Sequence, residues 1–159
     1  MLIDNDEHIH WMKRAFAEAE KALELCEAPV GAVIVKDGAI VGRGGNRVET
    51  LKDPTAHAEI IAIGAAAETT GYERLVDTTM YVTLEPCPMC AGAIVLSRIP
   101  RLVYGASDPK MGACGSVFDI CRSTKLNHRV EVEHGVMEGE CSSILTAFFQ
   151  SLRNKRAKS

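Results

Sequence analysis

The stretch TMYVTLEPCPMC, residues 79–90, joins a short apolar run to two prolines and two cysteines. Residues 79–84 have the length and the composition of a buried strand. Pro86 and Pro88 mark the start of a helix, because proline suits the first helical turn, and we place that helix at about residues 89–96. The stretch therefore predicts a strand that leads directly into a helix, as is common in α/β proteins.

The segments on either side continue this alternation. Apolar residues at helical spacing predict a first helix from His8 to Cys26, and Asp37-Gly38 indicates a hairpin turn between two strands. Further predictions are strands over 30–36 and 39–44, a loop over 45–53, a helix over 56–68, a strand over 102–105, a loop or short helix over 107–126, a strand over 130–134 and an amphipathic helix over 140–153. This order predicts an α/β domain with helices on both faces of a mixed sheet, and the long connection between the last two strands allows them to run parallel.

Length and composition favour one globular domain over residues 1–159. Of the 159 residues, 47% are hydrophobic and 25% are charged, which is close to the average of soluble domains. No apolar run reaches the roughly 20 residues of a transmembrane helix, and the acidic start at residues 1–7 lacks the features of a signal peptide. We therefore expect a cytoplasmic protein.

The charge is unevenly distributed. The net charge of −3 argues against a general nucleic-acid binder. Residues 150–159, however, carry four basic groups and no acidic group. The basic tail over 153–159 fits either a solvated chain end or a segment that contacts phosphates.

Cys87, Cys90 and His57 have the spacing of metal ligands. The two cysteines lie three positions apart at a predicted helix start, where they share one face and where the helix dipole favours thiolates. His57 begins the preceding helix, so the two helix starts can meet at one edge of the sheet. Zinc prefers such nitrogen and sulfur ligands, and three protein ligands leave a fourth position open for water. A redox CxxC pair is the alternative, and Cys114 or Cys121 is the alternative fourth ligand.

Glu59 lies two residues beyond His57 and is a candidate for proton transfer. A carboxylate that does not bind the metal can accept a proton from a metal-bound water and pass it to a leaving nitrogen. In isolation, a glutamate in a first helical turn is more simply explained by the helix dipole. The neighbouring histidine and cysteine pair favour the chemical interpretation.

The pattern H-x-E followed by P-C-x-x-C resembles the signature of nucleobase deaminases. The similarity to bacterial tRNA-specific adenosine deaminases extends over nearly the whole chain. The matching stretches are residues 29–33, 44–47, 53–59, 81–93, 103–106, 108–110 and 127–131, together with Phe148-Phe149 and the basic chain end. At Cys114 the sequence departs from the family, which often has alanine there.

This resemblance implies a three-layer α/β/α fold like that of cytidine deaminase, with a mixed five-stranded sheet. It also implies hydrolytic deamination of adenosine to inosine at the wobble position of a tRNA anticodon, in a homodimer with one Zn²⁺ per subunit. Zinc-bound hydroxide would attack C6 of the flipped-out adenine while Glu59 moves the protons. The implied zinc ligands are His57, Cys87 and Cys90, and the implied substrate-binding residues are Pro29, Val30, Asn46, Ala58, Leu84, Asp108, Lys110, Asn127 and Arg153.

Two other functions remain open at this point. A deaminase of a free base or nucleotide, such as cytosine, guanine or deoxycytidylate, would keep the same zinc site but would not need a basic tail. A non-catalytic RNA-binding module stabilised by zinc would not need Glu59 or an open ligand position. The apolar helix over 91–96 is a candidate dimer surface. The remaining four cysteines are interpreted as small buried hydrophobic residues: Cys26, Cys114, Cys121 and Cys141.

Overall fold

A five-stranded mixed sheet forms the centre of the molecule. The computed structural model describes residues 5–158, and its strand order is β2-β1-β3-β4-β5. The strands are β1 (Gly31–Lys36), β2 (Ala39–Gly45), β3 (Thr79–Leu84), β4 (Arg101–Ala106) and β5 (Glu131–His134), and the helices are α1 (Asn5–Glu24), α2 (Val48–Leu51), α3 (Ala58–Thr70), α4 (Pro88–Leu96) and α5 (Glu138–Ala157). The predicted α/β/α architecture with a mixed sheet is confirmed.

The pairing of the strands determines which loops meet. β1 pairs antiparallel with both β2 and β3, whereas β3, β4 and β5 run parallel, as predicted for the last two. The amino end of β1 therefore lies at the same edge of the sheet as the carboxyl ends of β3 and β4. The starts of α3 and α4 and the loop after β4 come together at this edge.

Each face of the sheet buries its own apolar cluster. On one face, Ala62 and Ala66 of α3 and Ile94 of α4 pack with Ile34 and Val82 of the sheet. The other face is covered by α1 and α5, whose core residues are Met12, Ala15 and Cys141, together with Val33, Tyr81 and Val103 of the sheet. Alternating strand residues supply the two clusters, as expected for a sheet covered on both sides.

Glycines in the first two strands allow helices to lie directly against the sheet backbone. A Cβ atom at Gly31 would lie 2.1 Å from the carbonyl oxygen of Ala15 in α1, and one at Gly44 would lie 2.6 Å from that of Ala58 in α3. No side chain fits at these distances. The glycines therefore fix how closely α1 and α3 approach the sheet.

The structure corrects several predicted boundaries. The segment 45–53, predicted as a loop, contains α2, whose amino end is capped by the carboxylate of Glu27, a residue more than twenty positions away. The segment 107–126 forms turns and one isolated bridge, which is the loop of the two alternatives. Cys26, interpreted as a buried residue, is exposed in the turn after α1. Helix α5 extends to Ala157, so all of the basic tail except Ser159, which lies outside the described residues, belongs to a helix or its end.

No helix within residues 5–158 is both long enough and apolar enough to cross a membrane. The acidic start that we used against a signal peptide falls partly on residues 1–4, which lie outside the described residues.

Candidate active site

His57 and Cys87 occupy the N-cap positions of two neighbouring helices. Both have extended backbone angles, φ −76° and ψ 155° for His57 and φ −73° and ψ 173° for Cys87, and neither side chain caps its own helix. N-cap residues normally accept a hydrogen bond from the first helical turn. Here both side chains instead face each other, and Cys90 joins them from one turn into α4.

The distances within this group fit a tetrahedral metal site. His57 Nδ1 lies 3.6 Å from the Sγ atoms of both Cys87 and Cys90, and all three candidate ligand atoms lie within 4.8 Å of one another. Zinc–nitrogen and zinc–sulfur bonds of ordinary length at a tetrahedral angle separate N and S by about 3.6 Å. His57, Cys87 and Cys90 could therefore hold a metal ion, and these donor types fit zinc.

Cys114 and Cys121 do not belong to this group. Their Sγ atoms lie 3.3 Å from each other, and both side chains are buried. Among the residues that the structure describes, the ligand group with His57 contains three members, none of them from this pair. The arrangement does not support Cys114 or Cys121 as a fourth ligand.

The three candidate ligands share protons in a way that favours a thiolate. A hydrogen bond from Cys90, opposed by burial and assisted by His57, lowers the pKa of Cys87 to about 4. The hydrogen bond to Cys87 also raises the pKa of His57, although burial acts in the opposite direction. The pKa of Cys90 is raised by its hydrogen bond to Cys87 and by burial. The lowered pKa of Cys87 favours its thiolate, which is the form that binds a metal ion.

Two buried glutamates beside the group have opposite pKa shifts. Burial raises the pKa of Glu59, which is 4% exposed and lies in the first turn of α3. Burial also acts to raise the pKa of Glu85, but hydrogen bonds from Ser116, Asp108 and Cys114 outweigh it and lower the pKa overall. A carboxyl group with a raised pKa is suited to exchanging protons near neutral pH, whereas a fully hydrogen-bonded carboxylate is suited to holding structure.

A cleft of about 930 Å³ opens above this group. His57, Glu59 and Cys87 lie at its lining, and Cys90 is buried behind them. Of the residues predicted to bind substrate, Val30, Asn46, Ala58 and Leu84 line the cleft, as do Asp108, Lys110 and Arg153. One cleft therefore contains the metal group, an apolar wall and a basic margin.

Two predicted substrate-binding residues do not line this cleft. Pro29 is buried, and its neighbour Ala28 lines the cleft instead. Asn127 accepts a hydrogen bond of 3.3 Å from Arg98, just beyond the carboxyl end of α4, and is absent from the lining of the cleft. Within this chain, the structure thus does not bring Asn127 together with the other predicted residues.

One face of α5 forms a wall of the cleft that sequence analysis missed apart from Arg153. Its lining residues are Ser142, Leu145, Thr146, Phe149, Leu152 and Arg156. Their spacing of three or four positions places them on one side of the helix. The amphipathic pattern carried this signal, but the pattern could not show which part of the sheet the helix covers.

Comparisons with known proteins agree with the geometry. The family model of the MafB19-like deaminases matches residues 6–153. A Streptococcus pyogenes protein named tRNA-specific adenosine deaminase is 46% identical over 154 residues, which cover 97% of each chain. A Haemophilus influenzae protein of the same name is 52% identical over 91% of this chain and 84% of its own length. A solved structure from work on A-to-I editing by tRNA:A34 deaminases superposes with a TM-score of 0.82 at 48% identity, covering 86% of this chain and 99% of the other.

Proposed function

The chain belongs to the family of tRNA-specific adenosine deaminases, and we propose that it converts adenosine to inosine at the wobble position of a tRNA anticodon. The observation that carries this proposal is the candidate metal group, with Glu59 beside it, in a cleft that extends to the basic helix α5. A base in an anticodon loop can leave its stack and enter such a cleft.

We assign the metal as one zinc ion per chain, held by His57, Cys87 and Cys90. The donor set and the 3.6 Å separations between His57 and each sulfur support this assignment. When bound, zinc supplies an activated water for attack on a purine ring carbon. The cysteine pair also fits a redox role, but the histidine at both sulfurs and the cleft beside them favour metal binding.

Glu59 is the candidate for proton transfer. In the proposed reaction it takes a proton from the attacking water and delivers it to the exocyclic amino nitrogen at C6 of adenine. The oxygen of the water forms a bond to C6, the C6–N bond breaks and ammonia leaves with the delivered proton. The second proton of the water ends on N1, and its oxygen becomes the carbonyl oxygen of inosine. The burial of Glu59 supports this assignment, because a buried carboxyl at the lining of the cleft can exchange protons with a substrate while few other waters reach it.

The rest of the cleft suits a nucleotide within RNA. Val30, Asn46, Ala58 and Leu84 supply small and apolar contacts for a base, with one amide. Arg153 and Arg156 of α5, together with Lys110, supply positive charge at the margin, where backbone phosphates would lie. A free base carries no phosphate groups to bind these charges, so they favour RNA as the substrate. Because tRNA is a cytoplasmic substrate, the proposed function supports a cytoplasmic location as part of the same proposal.

A second copy of this chain is the proposed partner. Helix α4 carries no charged side chain on any face, and Leu96 at its end is 77% exposed. A helix that is apolar on all sides is normally covered on all sides. We therefore expect Leu96→Glu to convert a dimer to a monomer in light scattering, whereas Leu51→Glu on α2, also exposed, retains the wild-type mass. A monomeric wild type would contradict this assignment.

The activity is tested with a stem-loop RNA that carries adenosine at the anticodon wobble position. Inosine formation is compared with the turnover of free adenosine, cytosine and guanine, and zinc is measured in each protein sample. We expect inosine from the stem-loop alone. Glu59→Ala should abolish product while retaining zinc, and Glu68→Ala, an exposed glutamate on the same helix, should leave both unchanged. Turnover of a free base with an inert stem-loop would replace the tRNA assignment with a free-base deaminase.

A further inference from the structure

Glu85 is a buried carboxylate that follows β3 and is not part of the candidate metal group. Its side chain is 2% exposed, and none of the ion pairs among residues 5–158 involves it. A buried carboxylate without a cationic partner requires several hydrogen-bond donors. All of its donors come from one segment of the chain, residues 108–116.

The loop over 107–116, which follows β4 and which we name the clasp loop, closes around this carboxylate. Oε1 accepts a hydrogen bond of 3.0 Å from the backbone N–H of Asp108 and another from the hydroxyl of Ser116. Oε2 accepts bonds of 3.0 Å and 3.1 Å from the backbone N–H groups of Cys114 and Ser116. Each oxygen therefore binds two donors, and the two ends of the clasp loop are tied to one side chain.

Gly112 shows how tightly the clasp loop encloses Glu85. A Cβ atom at Gly112 would lie 2.4 Å from Cδ of Glu85 and 2.5 Å from the carbonyl oxygen of Asp108. The carboxylate thus occupies the space that a side chain at position 112 would need. Within the loop, Oδ1 of Asp108 accepts the N–H groups of Lys110 and Met111, at 3.0 Å and 3.2 Å. The position of Asp108 therefore determines the positions of the next three residues.

The clasp loop forms one wall of the substrate cleft. Asp108, Lys110 and Met111 all line the cleft, as does Glu85 itself. Lys110 and Met111 are exposed, and their backbone N–H groups bind Asp108. The hydrogen bonds of Asp108, and through them the carboxylate of Glu85, hold this wall in place.

We propose that Glu85 is a positioning residue for the RNA substrate: it holds the clasp loop so that Asp108, Lys110 and Met111 contact the nucleotides around the target base. This inference rests on the proposed function. Glu85 holds the clasp loop, which contacts the substrate away from the reacting atoms. A change at Glu85 should therefore alter the affinity for the RNA more than the rate at which bound RNA reacts. Glutamine cannot replace Glu85, because its side-chain NH2 group donates hydrogen bonds and both carboxylate oxygens of Glu85 accept them.

The test uses Glu85→Gln in the zinc-loaded protein, with metal content measured. We expect KM for the stem-loop to rise roughly tenfold or more, as for the loss of hydrogen bonds to a charged group, while kcat changes less than about threefold. Hydrogen exchange should show faster exchange at the amides of Asp108, Cys114 and Ser116. Asp119→Asn, which changes an exposed carboxylate near the clasp loop that pairs with Arg122, should leave KM and exchange unchanged.

The possible outcomes separate this inference from the proposed function. Unchanged KM and unchanged exchange in Glu85→Gln would overturn the inference, as would a loss of zinc that accounts for all of the lost activity. If the wild type makes no inosine from the stem-loop, the proposed function fails. Hydrogen exchange at the amides of Asp108, Cys114 and Ser116 in Glu85→Gln then decides whether Glu85 holds the clasp loop. Should Glu85→Gln not fold, Ser116→Ala removes one donor and leaves the carboxylate, and a smaller rise in KM with faster exchange at Asp108 supports the inference. Wild-type behaviour of Ser116→Ala would then refute it.

Discussion

Replacing Gly44 with alanine tests how closely the sheet positions the helix that begins at the candidate metal group. A Cβ at this position would lie 2.6 Å from the carbonyl oxygen of Ala58 and 2.9 Å from the amide nitrogen of Ala62. Ordinary contacts of a Cβ begin at 3.4 Å, and both neighbours are helix backbone that cannot rotate away. Helix α3 must therefore move by up to about 0.8 Å, the difference between 2.6 Å and 3.4 Å.

This displacement would act where the chemistry is proposed. Ala58 lies between His57 and Glu59, so movement of its carbonyl group moves both side chains. Overpacking of a core typically costs about 1 to 3 kcal/mol of unfolding free energy. Catalytic groups must be held within about 0.5 Å, and a misplacement of about 1 Å can reduce a rate roughly a hundredfold. We expect Gly44→Ala to lose about 1 to 3 kcal/mol of unfolding free energy and about 10- to 100-fold in kcat.

Urea unfolding and single-turnover deamination of the stem-loop measure the two effects separately. Gly139→Ala is the matched control, because it is a helical glycine on α5 with open space around its Cβ position. This control should gain about 0.5 to 1 kcal/mol of unfolding free energy and keep the wild-type rate. Wild-type stability and rate in Gly44→Ala would refute the reasoning that backbone contact with β2 fixes the position of α3.

Three further predictions follow from the structure. Elemental analysis should find little zinc in purified Cys90→Ala. The control Cys141→Ala, which replaces a buried cysteine of α5, should retain zinc. Equal zinc in the two variants would exclude Cys90 as a ligand. Glu27→Gln should lose about 1 to 3 kcal/mol of unfolding free energy at pH 7 because the side chain is 1% exposed and accepts two backbone N–H groups. Burial acts to raise the pKa of Glu27, but its hydrogen bonds lower that pKa overall. The stability that the carboxylate adds is therefore fully present above its ordinary pKa of 4.5 and is lost as the pH falls through the lower pKa of the folded state. A difference in unfolding free energy between wild type and variant that does not change with pH would contradict this. A chain that ends at Leu152 should bind the stem-loop more weakly and with less salt dependence in fluorescence anisotropy while it retains zinc, and unchanged affinity would contradict a role for Arg153 and Arg156.

Local patterns predicted the parts of the molecule whose causes are local. The strand over 79–84 has the predicted bounds, because an apolar run closed by a proline-containing helix start leaves little choice. The meeting of His57 with Cys87 and Cys90 was also predictable, since His57 and Cys87 each stand at a predicted helix start and Cys90 lies one turn further along. The geometry confirms that these three residues come together.

The contacts that single buried side chains make with distant backbone were not predictable from the sequence. Glu27 caps α2 from more than twenty positions away, and Glu85 binds a loop of similar separation. A sequence pattern shows neither which backbone groups a buried carboxylate will reach nor which part of the sheet α5 will cover. For the same reason, the place of Asn127 beside Arg98 could not be read from the chain order.

The antiparallel pairing of β1 with β3 has a consequence for how the protein folds. This pairing joins Ala32 to Val82, fifty positions apart in the sequence, and helix α3 lies within the intervening segment. Contacts of such long range form slowly, since the entropy of the intervening chain is lost before the contacts stabilise the sheet. His57 lies inside this segment and Cys87 just beyond it, so the two residues share an edge only after the pairing is complete. Acquisition of metal would therefore report that the central sheet has closed.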